Sequence, residues 1–328
     1  MDLSRRQALV GAAALAASPM IGSAPARAAA PLAEKQAPSF YRYKVGDAQV
    51  NVISDGASTF PLADSFVLNA RKDDVNAALE QAFLPKDKMT IHFAPLAINT
   101  GGKLVVIDTG NGPGAFTATK GKVGQFAANM AAAGIDAKNV DMVVISHFHG
   151  DHVNGLLDDY GMPAFPNAEI LVPATEWKYW NDDGEMAKAP NDRMKGLFAS
   201  NRKLFNDGLK KKVTPYEWGK DVAPGLLAVE AVGHTPGHTA FVLSSGSDKI
   251  FIQSDVTNHP ALFAAHPGWH LMFDQDPAQA ETTRRKVYDM LVSEKMRVQG
   301  FHYPFPANGN VVKDGDGYRI VPAPWSPV

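Results

Sequence analysis

Apolar and polar positions alternate along much of this chain in short runs, broken by a few stretches with a helical look. Residues 41–53 alternate with a period of two, which predicts strands. Residues 97–109 (A-I-N-T-G-G-K-L-V-V-I-D-T) predict a hairpin turning at Gly101-Gly102, and residues 241–252 predict a second hairpin. Further strands are expected at 140–145 (V-D-M-V-V-I), whose β-branched run has the look of a buried strand, and at 168–172 and 227–232. Helical composition marks 124–133, closed by Gly134 as a C-cap, and 176–209 with a loop around Pro190. Another helix opens at Asp276-Pro277, an Asp cap with Pro in the first turn, and sets Val287, Met290 and Leu291 on one face up to about Met296. Residues 31–40 show no period. Strands and helices are interspersed with no repeat and no linker, so one layered α/β domain is expected over residues 41–328, preceded by an arm at 29–40.

Composition narrows the chemistry. The chain has 328 residues, 45% of them hydrophobic, enough to bury a sizeable core. Its formal net charge is −2, and the longest basic run, Lys210-Lys211-Lys212, reads as solvated surface, so no nucleic-acid partner is expected. There is no cysteine, which excludes disulfides, zinc–thiolate sites and cysteine nucleophiles. At the N-terminus Arg5-Arg6 precede a weakly apolar, alanine-rich run at 9–22, and Ala26-Arg27-Ala28 supplies a small-x-small cleavage site. That run is too short to span a bilayer stably. Residues 1–28 resemble a twin-arginine export signal, removed on export, which implies a periplasmic or secreted protein with no membrane anchor. The route carries folded proteins, which suits a protein that loads metal before leaving the cytoplasm.

The metal-binding candidates lie at strand ends. His147, His149, Asp151 and His152 crowd into six positions of I-S-H-F-H-G-D-H-V-N-G, just after the strand at 140–145. His147 and His149, at i and i+2 on an extended segment, point the same way and can share one cation, with Asp151 and His152 one step on, placed for a second. Gly233-His234-Thr235-Pro236-Gly237-His238 follows a strand, Asp255 ends one, and His302 lies in G-F-H-Y-P-F-P. Imidazoles and carboxylates suit divalent cations, zinc being the commonest fit. The remaining histidines His92, His259, His266 and His270 read as ordinary core or surface residues.

Taken together, H-F-H-G-D-H, G-H-T-P-G-H, the Ser254-Asp255 pair, Phe301-His302 and the I-D-T-G turn at 107–110 resemble the motif set of the metallo-β-lactamase superfamily, in its order and with similar spacing. The resemblance implies a four-layer αββα sandwich with two metal ions at the edge between the sheets. His147, His149 and His234 would hold one ion, and Asp151, His152 and His302 the other. Asp255 would bridge them, and His238 would stand behind the ligands. Within the superfamily the chain resembles the methyl parathion hydrolase-like group, related to quorum-quenching lactonases, through Y-P-F-P after His302, F-P-N-A from Phe165 and G-Y-R-I-V-P from Gly317. Relatives of that group often form homodimers.

Two such cations lower the pKa of a shared water and polarise a carbonyl or phosphoryl oxygen. The expected reaction is therefore hydrolysis of an ester-type bond in a small molecule (a lactone, aryl ester or phosphotriester) by the bridging hydroxide. Asp255 would set the metal separation and Asp151 would help handle the proton. Many N-acyl-homoserine lactonases carry a tyrosine three residues after the bridging aspartate; here Asn258 stands at that position, a candidate substrate contact. Phe116, Trp180, Phe198, Trp269 and Phe273 are candidates to line an apolar pocket, with Trp180 and Phe198 favoured. Competing readings are an N-acyl-homoserine lactonase of quorum quenching, a β-lactamase, and an exported metal-binding module without catalysis. The absence of cysteine excludes the β-lactamase subclasses that use a cysteine ligand, and a complete donor set with Asp255 argues against the non-catalytic module.

Overall fold

The computed structural model describes residue 33, residues 36–205 and residues 208–328. The expected export signal at 1–28 lies outside the described residues, as do residues 29–32, 34 and 35 of the arm. Residues Pro38–Val328 form one compact unit. Among the described residues no helix is long and apolar enough to cross a membrane.

In chain order the strands are β1 (Phe40–Val45), β2 (Ala48–Ile53), β3 (Gly56–Pro61), β4 (Lys88–Phe93), β5 (Leu96–Thr100), β6 (Lys103–Ile107), β7 (Met142–Val144), β8 (Glu169–Pro173) and β9 (Val213–Tyr216). They continue as β10 (Asp221–Ala223), β11 (Leu226–Glu230), β12 (Thr239–Ser245), β13 (Asp248–Ser254), β14 (Arg297–Gly300), β15 (Asn308–Asp314) and β16 (Gly317–Pro322). Among the described residues these build two seven-stranded sheets, ordered β1-β2-β5-β6-β7-β8-β9 and β10-β11-β12-β13-β14-β15-β16, plus a β3-β4 ribbon. The first sheet is antiparallel as far as β6 and parallel from β6 through β9. The second is antiparallel except at β13-β14, where the helix Pro277–Glu294 makes the crossover.

Period-two alternation decides which face each residue takes. From β5 through β8, Ile98, Val105, Ile107, Val144 and Leu171 face the core shared with the second sheet, where Leu226, Phe241, Leu243, Ile250 and Val298 meet them. Their neighbours Ala97, Val106, Val143, Ile170 and Val172 face the other way, into a core closed by Phe126, Met130, Trp180 and Phe198 from the outer helices. Helix outside sheet, sheet on sheet and helix again give the αββα layering. Each of these fully buried Val, Ile, Leu or Phe side chains contributes about 1.5–3 kcal/mol.

The predicted hairpins are β5-β6 and β12-β13, and the Asp276 cap is real: its carboxylate accepts from Gln279 N at 3.0 Å. Gly134 follows the helix Phe126–Ala132 at φ +81°. The segment expected to be mainly helical resolves into helices Ala174–Asn181, Asp183–Ala187 and Asp192–Leu204. The ribbon β3-β4, the helix Lys72–Gln81 and the closing hairpin β15-β16 are additions to the sequence reading. Ribbon and helix form a third core with Leu262, Phe263, Leu271 and Phe301.

Candidate metal centre

Strand ends from both sheets converge at one edge. His147 and His149 follow β7, and the short helix Gly150–Val153 carries Asp151 and His152. His234 follows β11, while Asp255 and His302 follow β13 and β14. Two strand ends carry non-glycine residues in left-handed backbone, Asp108 at φ +58° and Ser254 at φ +50°. Such conformations cost about 1–3 kcal/mol each and persist where surrounding contacts hold them. Here the turn at Ser254 swings Asp255 off its strand.

The inward-facing atoms fall into two overlapping sets. His147 Nε2 lies 3.1 Å from His149 Nδ1, which lies 2.9 Å from His234 Nε2. His152 Nε2 and His302 Nε2 each lie 3.5 Å from Asp151 Oδ2. Asp255 joins the sets: Oδ2 stands 3.3 Å from His234 Nε2 and 2.9 Å from His302 Nε2, and Oδ1 stands 3.3 Å from His152 Nε2. Two donors about 2.0–2.1 Å from one tetrahedral cation stand about 3.3–3.4 Å apart, close to these spacings. His152 Nε2 and Asp255 Oδ1 are buried with no hydrogen-bond partner, a costly state that bound cations would relieve. The residues present therefore fit two divalent cations, with the sets grouped as the sequence resemblance implies.

Outer contacts fix the ring tautomers. Asp108 Oδ2 accepts from His152 Nδ1 at 2.7 Å and from Ser146 Oγ at 2.8 Å, and Ser146 Oγ accepts from His147 Nδ1 at 3.0 Å. Asp274 Oδ1 accepts from His234 Nδ1 at 2.7 Å, and the His92 carbonyl accepts from His302 Nδ1 at 2.8 Å. Each of these rings thus turns an Nε2 lone pair inward. His238 is occupied differently: Nδ1 donates to Ala231 O at 2.8 Å, and Nε2 accepts from Asp255 N at 3.0 Å. Its lone pair is spent holding the Asp255 backbone, so His238 stands behind the donors.

Electrostatics agree with this assignment. Burial, then neighbouring imidazoles, pushes His147 and His149 well below the usual histidine range, so both are neutral donors. Burial would raise Asp255, but His302 and His152 hold it well below the carboxylate range, and His152 and His302 likewise keep Asp151 low. Burial opposes charge on His152 too, yet the carboxylates of Asp255, Asp108 and Asp151 push it up. Around His152 and His302 the carboxylates' field thus favours positive charge.

One residue the sequence reading passed over ties the two histidine loops together. Glu176, fully buried on the helix Ala174–Asn181, accepts from Phe148 N at 3.0 Å, Gly237 N at 2.7 Å and Trp180 Nε1 at 2.7 Å. Phe148 lies between two donors and Gly237 just beyond a third. A Cβ at Gly237 would come within 2.4 Å of Glu176 N, so glycine is required for this approach. Asp274 and Arg284 were passed over as well. Arg284 is buried, donates to Pro267 O at 2.8 Å and Trp269 O at 3.0 Å, and lies 3.4 Å from Asp274 Oδ2. An acidic residue in the first turn of a helix gives no sequence signal separating such a clamp from a solvated face.

The cavity over the donors, about 250 Å³, is walled by Phe60, Ile91, Phe93, Leu197 and Phe273, with Asn258 and Arg193 among its polar residues. Trp180 and Phe198, expected here, are elsewhere: both are 0% exposed in the core behind the first sheet, ring centroids 4.7 Å apart. Phe116 lines a different cavity, and Trp269 stacks on His266 at 4.0 Å. Of the aromatic candidates, Phe273 reaches the site. A larger groove, about 570 Å³, is lined by Pro260, Tyr303 and Tyr318 and contains none of the seven donors.

The family model of the metallo-beta-lactamase superfamily matches residues 96–294, more than half of the chain, and the chain belongs to that family. No curated protein matches it in sequence. Among solved structures it is similar to AidC, a dizinc quorum-quenching lactonase in complex with an N-hexanoyl-homoserine product. The TM-score is 0.80 at 24% identity, covering 88% of this chain and 98% of that one. It is also similar to AbOPH, a hydrolase in the beta-lactamase superfamily, with TM-score 0.81 at 25% identity over 89% of this chain and 100% of that one. A probable metal-dependent hydrolase from Staphylococcus aureus matches with TM-score 0.70 at 21% identity, over 87% and 100% of the two chains.

Proposed function

We propose that this chain is a dinuclear metal-dependent hydrolase of ester-type bonds that acts on lactones and carboxylic esters. The observation that carries this reading is the Asp255 carboxylate, within 2.9–3.3 Å of nitrogens from both halves of the donor set. Zinc is the cation that best suits such imidazole and carboxylate donors. Two cations held there would supply an activated water and polarise the scissile carbonyl.

The chain's own residues do the rest. Asp255 balances charge and fixes the separation of the two sites. Asp151, the more exposed of the two donor carboxylates that line the cavity, takes up the proton as water attacks. Asn258 Oδ1 accepts from His259 N at 2.9 Å, which leaves its amide nitrogen to donate to the substrate. The walls formed by Phe60, Ile91, Phe93, Leu197 and Phe273 exclude water and take the apolar part of the acyl group. The likeness to a dizinc lactonase supports the lactone side of this reading. We carry the export reading with it: the twin-arginine segment at 1–28 would deliver the folded, loaded enzyme to the periplasm.

The test is kcat/KM of the metal-loaded protein, residues 29–328, on an acyl-homoserine lactone and an aryl phosphotriester. A higher value for the lactone is expected. Turnover of the phosphotriester alone would move the enzyme to phosphoryl substrates, and turnover of neither ester type would sink the reading.

A further inference from the structure

The cavity over the metal donors carries one arginine at its mouth, exposed and held by no hydrogen bond or ion pair among the described residues; the carboxylate whose charge it feels, Asp151, belongs to the donor set. Among the described residues that line it, Arg193 is the sole Lys or Arg. It stands on the first turn of the helix Asp192–Leu204, whose Leu197 lines the same wall. Its guanidinium lies over the Phe273 ring, 5.0 Å from the centroid, and Phe273 is itself a wall of the cavity. Such stacking covers one face of the planar group and leaves its N–H edge for an acceptor. The hydrogen bonds and ion pairs of the described residues supply none. The neighbouring arginines differ: Arg202 pairs with Asp183 at 2.7 Å, and Arg284 is held by three carbonyls.

The other charged groups of the cavity are spoken for. Asp151 and Asp255 belong to the donor set, and the amide of Asn111 is committed to Asp55, 2.9 Å away. What remains facing a substrate is the guanidinium of Arg193, the amide nitrogen of Asn258 and the Ser58 hydroxyl, three donors among apolar walls, of which Arg193 alone carries a charge. A pocket of this kind is complementary to a molecule with an apolar stem and an anionic group besides its scissile bond.

We infer that Arg193 selects the substrate: the enzyme takes esters or lactones whose acyl part bears a second, anionic group, a carboxylate, held by the Arg193 guanidinium while the scissile carbonyl lies over the metal donors. This rests on the hydrolase reading above. It adds a charge to the substrate that a neutral acyl-homoserine lactone lacks, and it makes the hydrolysis product a dicarboxylate.

The experiment compares two aryl esters of matched length, mono-4-nitrophenyl glutarate and 4-nitrophenyl valerate, on the loaded wild type and on Arg193→Met and Arg193→Lys. A second readout is the equilibrium Kd of glutarate for the same loaded proteins, by calorimetry at two salt concentrations. The wild type is expected to favour the glutarate ester by about tenfold or more in kcat/KM, mainly through KM, with the preference lost in Arg193→Met and partly kept in Arg193→Lys. The Kd of glutarate should rise in parallel, with a weaker dependence on salt. Equal kcat/KM for the two esters in the wild type, or a glutarate Kd unchanged by Arg193→Met, would overturn the assignment and leave the hydrolase reading standing. Absence of turnover with both esters, alongside a Kd that does rise in Arg193→Met, would sink the hydrolase reading and keep the anion site.

Discussion

Asp255 is the side chain on which both candidate donor sets converge. Its backbone N–H donates to His238 Nε2 at 3.0 Å, and Ser254 before it holds φ +50°. Its two oxygens then face nitrogens from three different segments of the chain. Removing the carboxylate takes away the one group shared by both donor sets and leaves imidazoles crowded without a compensating charge. Asp255→Ala is expected to lower kcat/KM by at least about a hundredfold and to lower metal content, while circular dichroism shows the fold retained. Near-normal turnover in that variant would sink the two-cation assignment. The imidazole partners make the same point at lower stakes: each outer hydrogen bond, such as His234 Nδ1 to Asp274, fixes a lone pair that no rotation of a free ring would fix.

The helices behind the first sheet show how far element-level reading carries. Trp180 and Phe198 were expected in the pocket because large aromatics in a helical segment beside a site read equally well as lining or as core. The helix Ala174–Asn181 resolves the matter by turning Trp180 inward, where its indole donates to Glu176 and its ring packs on Phe198. Trp180→Ala should therefore cost about 3–5 kcal/mol in urea unfolding, with KM for an aryl ester unchanged while the protein stays folded. A raised KM with unaltered stability would return Trp180 to the pocket.

The seven candidate donors, which the structure brings together at one edge, were legible because they sit in short motifs at strand ends, where local spacing fixes which way side chains point. Hairpins with glycine turns and the Asp276-Pro277 helix start were legible for the same reason. The partners Glu176, Asp274, Arg284 and Arg193 were not, since each acts across a long sequence separation and carries no local pattern. The ribbon β3-β4 with the helix Lys72–Gln81 escaped notice because the face they bury is supplied by Leu262, Phe263 and Phe301, distant in sequence.

At the scale of the whole molecule, the donors come from both halves of the sandwich. His147, His149, Asp151 and His152 hang from the first sheet, and His234, Asp255 and His302 from the second. Cations held between them would join the sheets at one edge, so loading and stability should be coupled. A ligand that binds the folded state alone stabilises it by about 4 kcal/mol when present at a thousand times its Kd. Exhaustive chelation is accordingly expected to abolish turnover and to lower the Tm, both recovered when zinc is restored. Thiol reagents should change neither, because the chain has no cysteine. The two readouts separate two claims. Turnover that survives chelation would refute metal dependence. Turnover lost with no change in Tm would mean that the cations act in catalysis without joining the sheets, and the protein interior alone would then have to hold five buried imidazoles and two carboxylates in place.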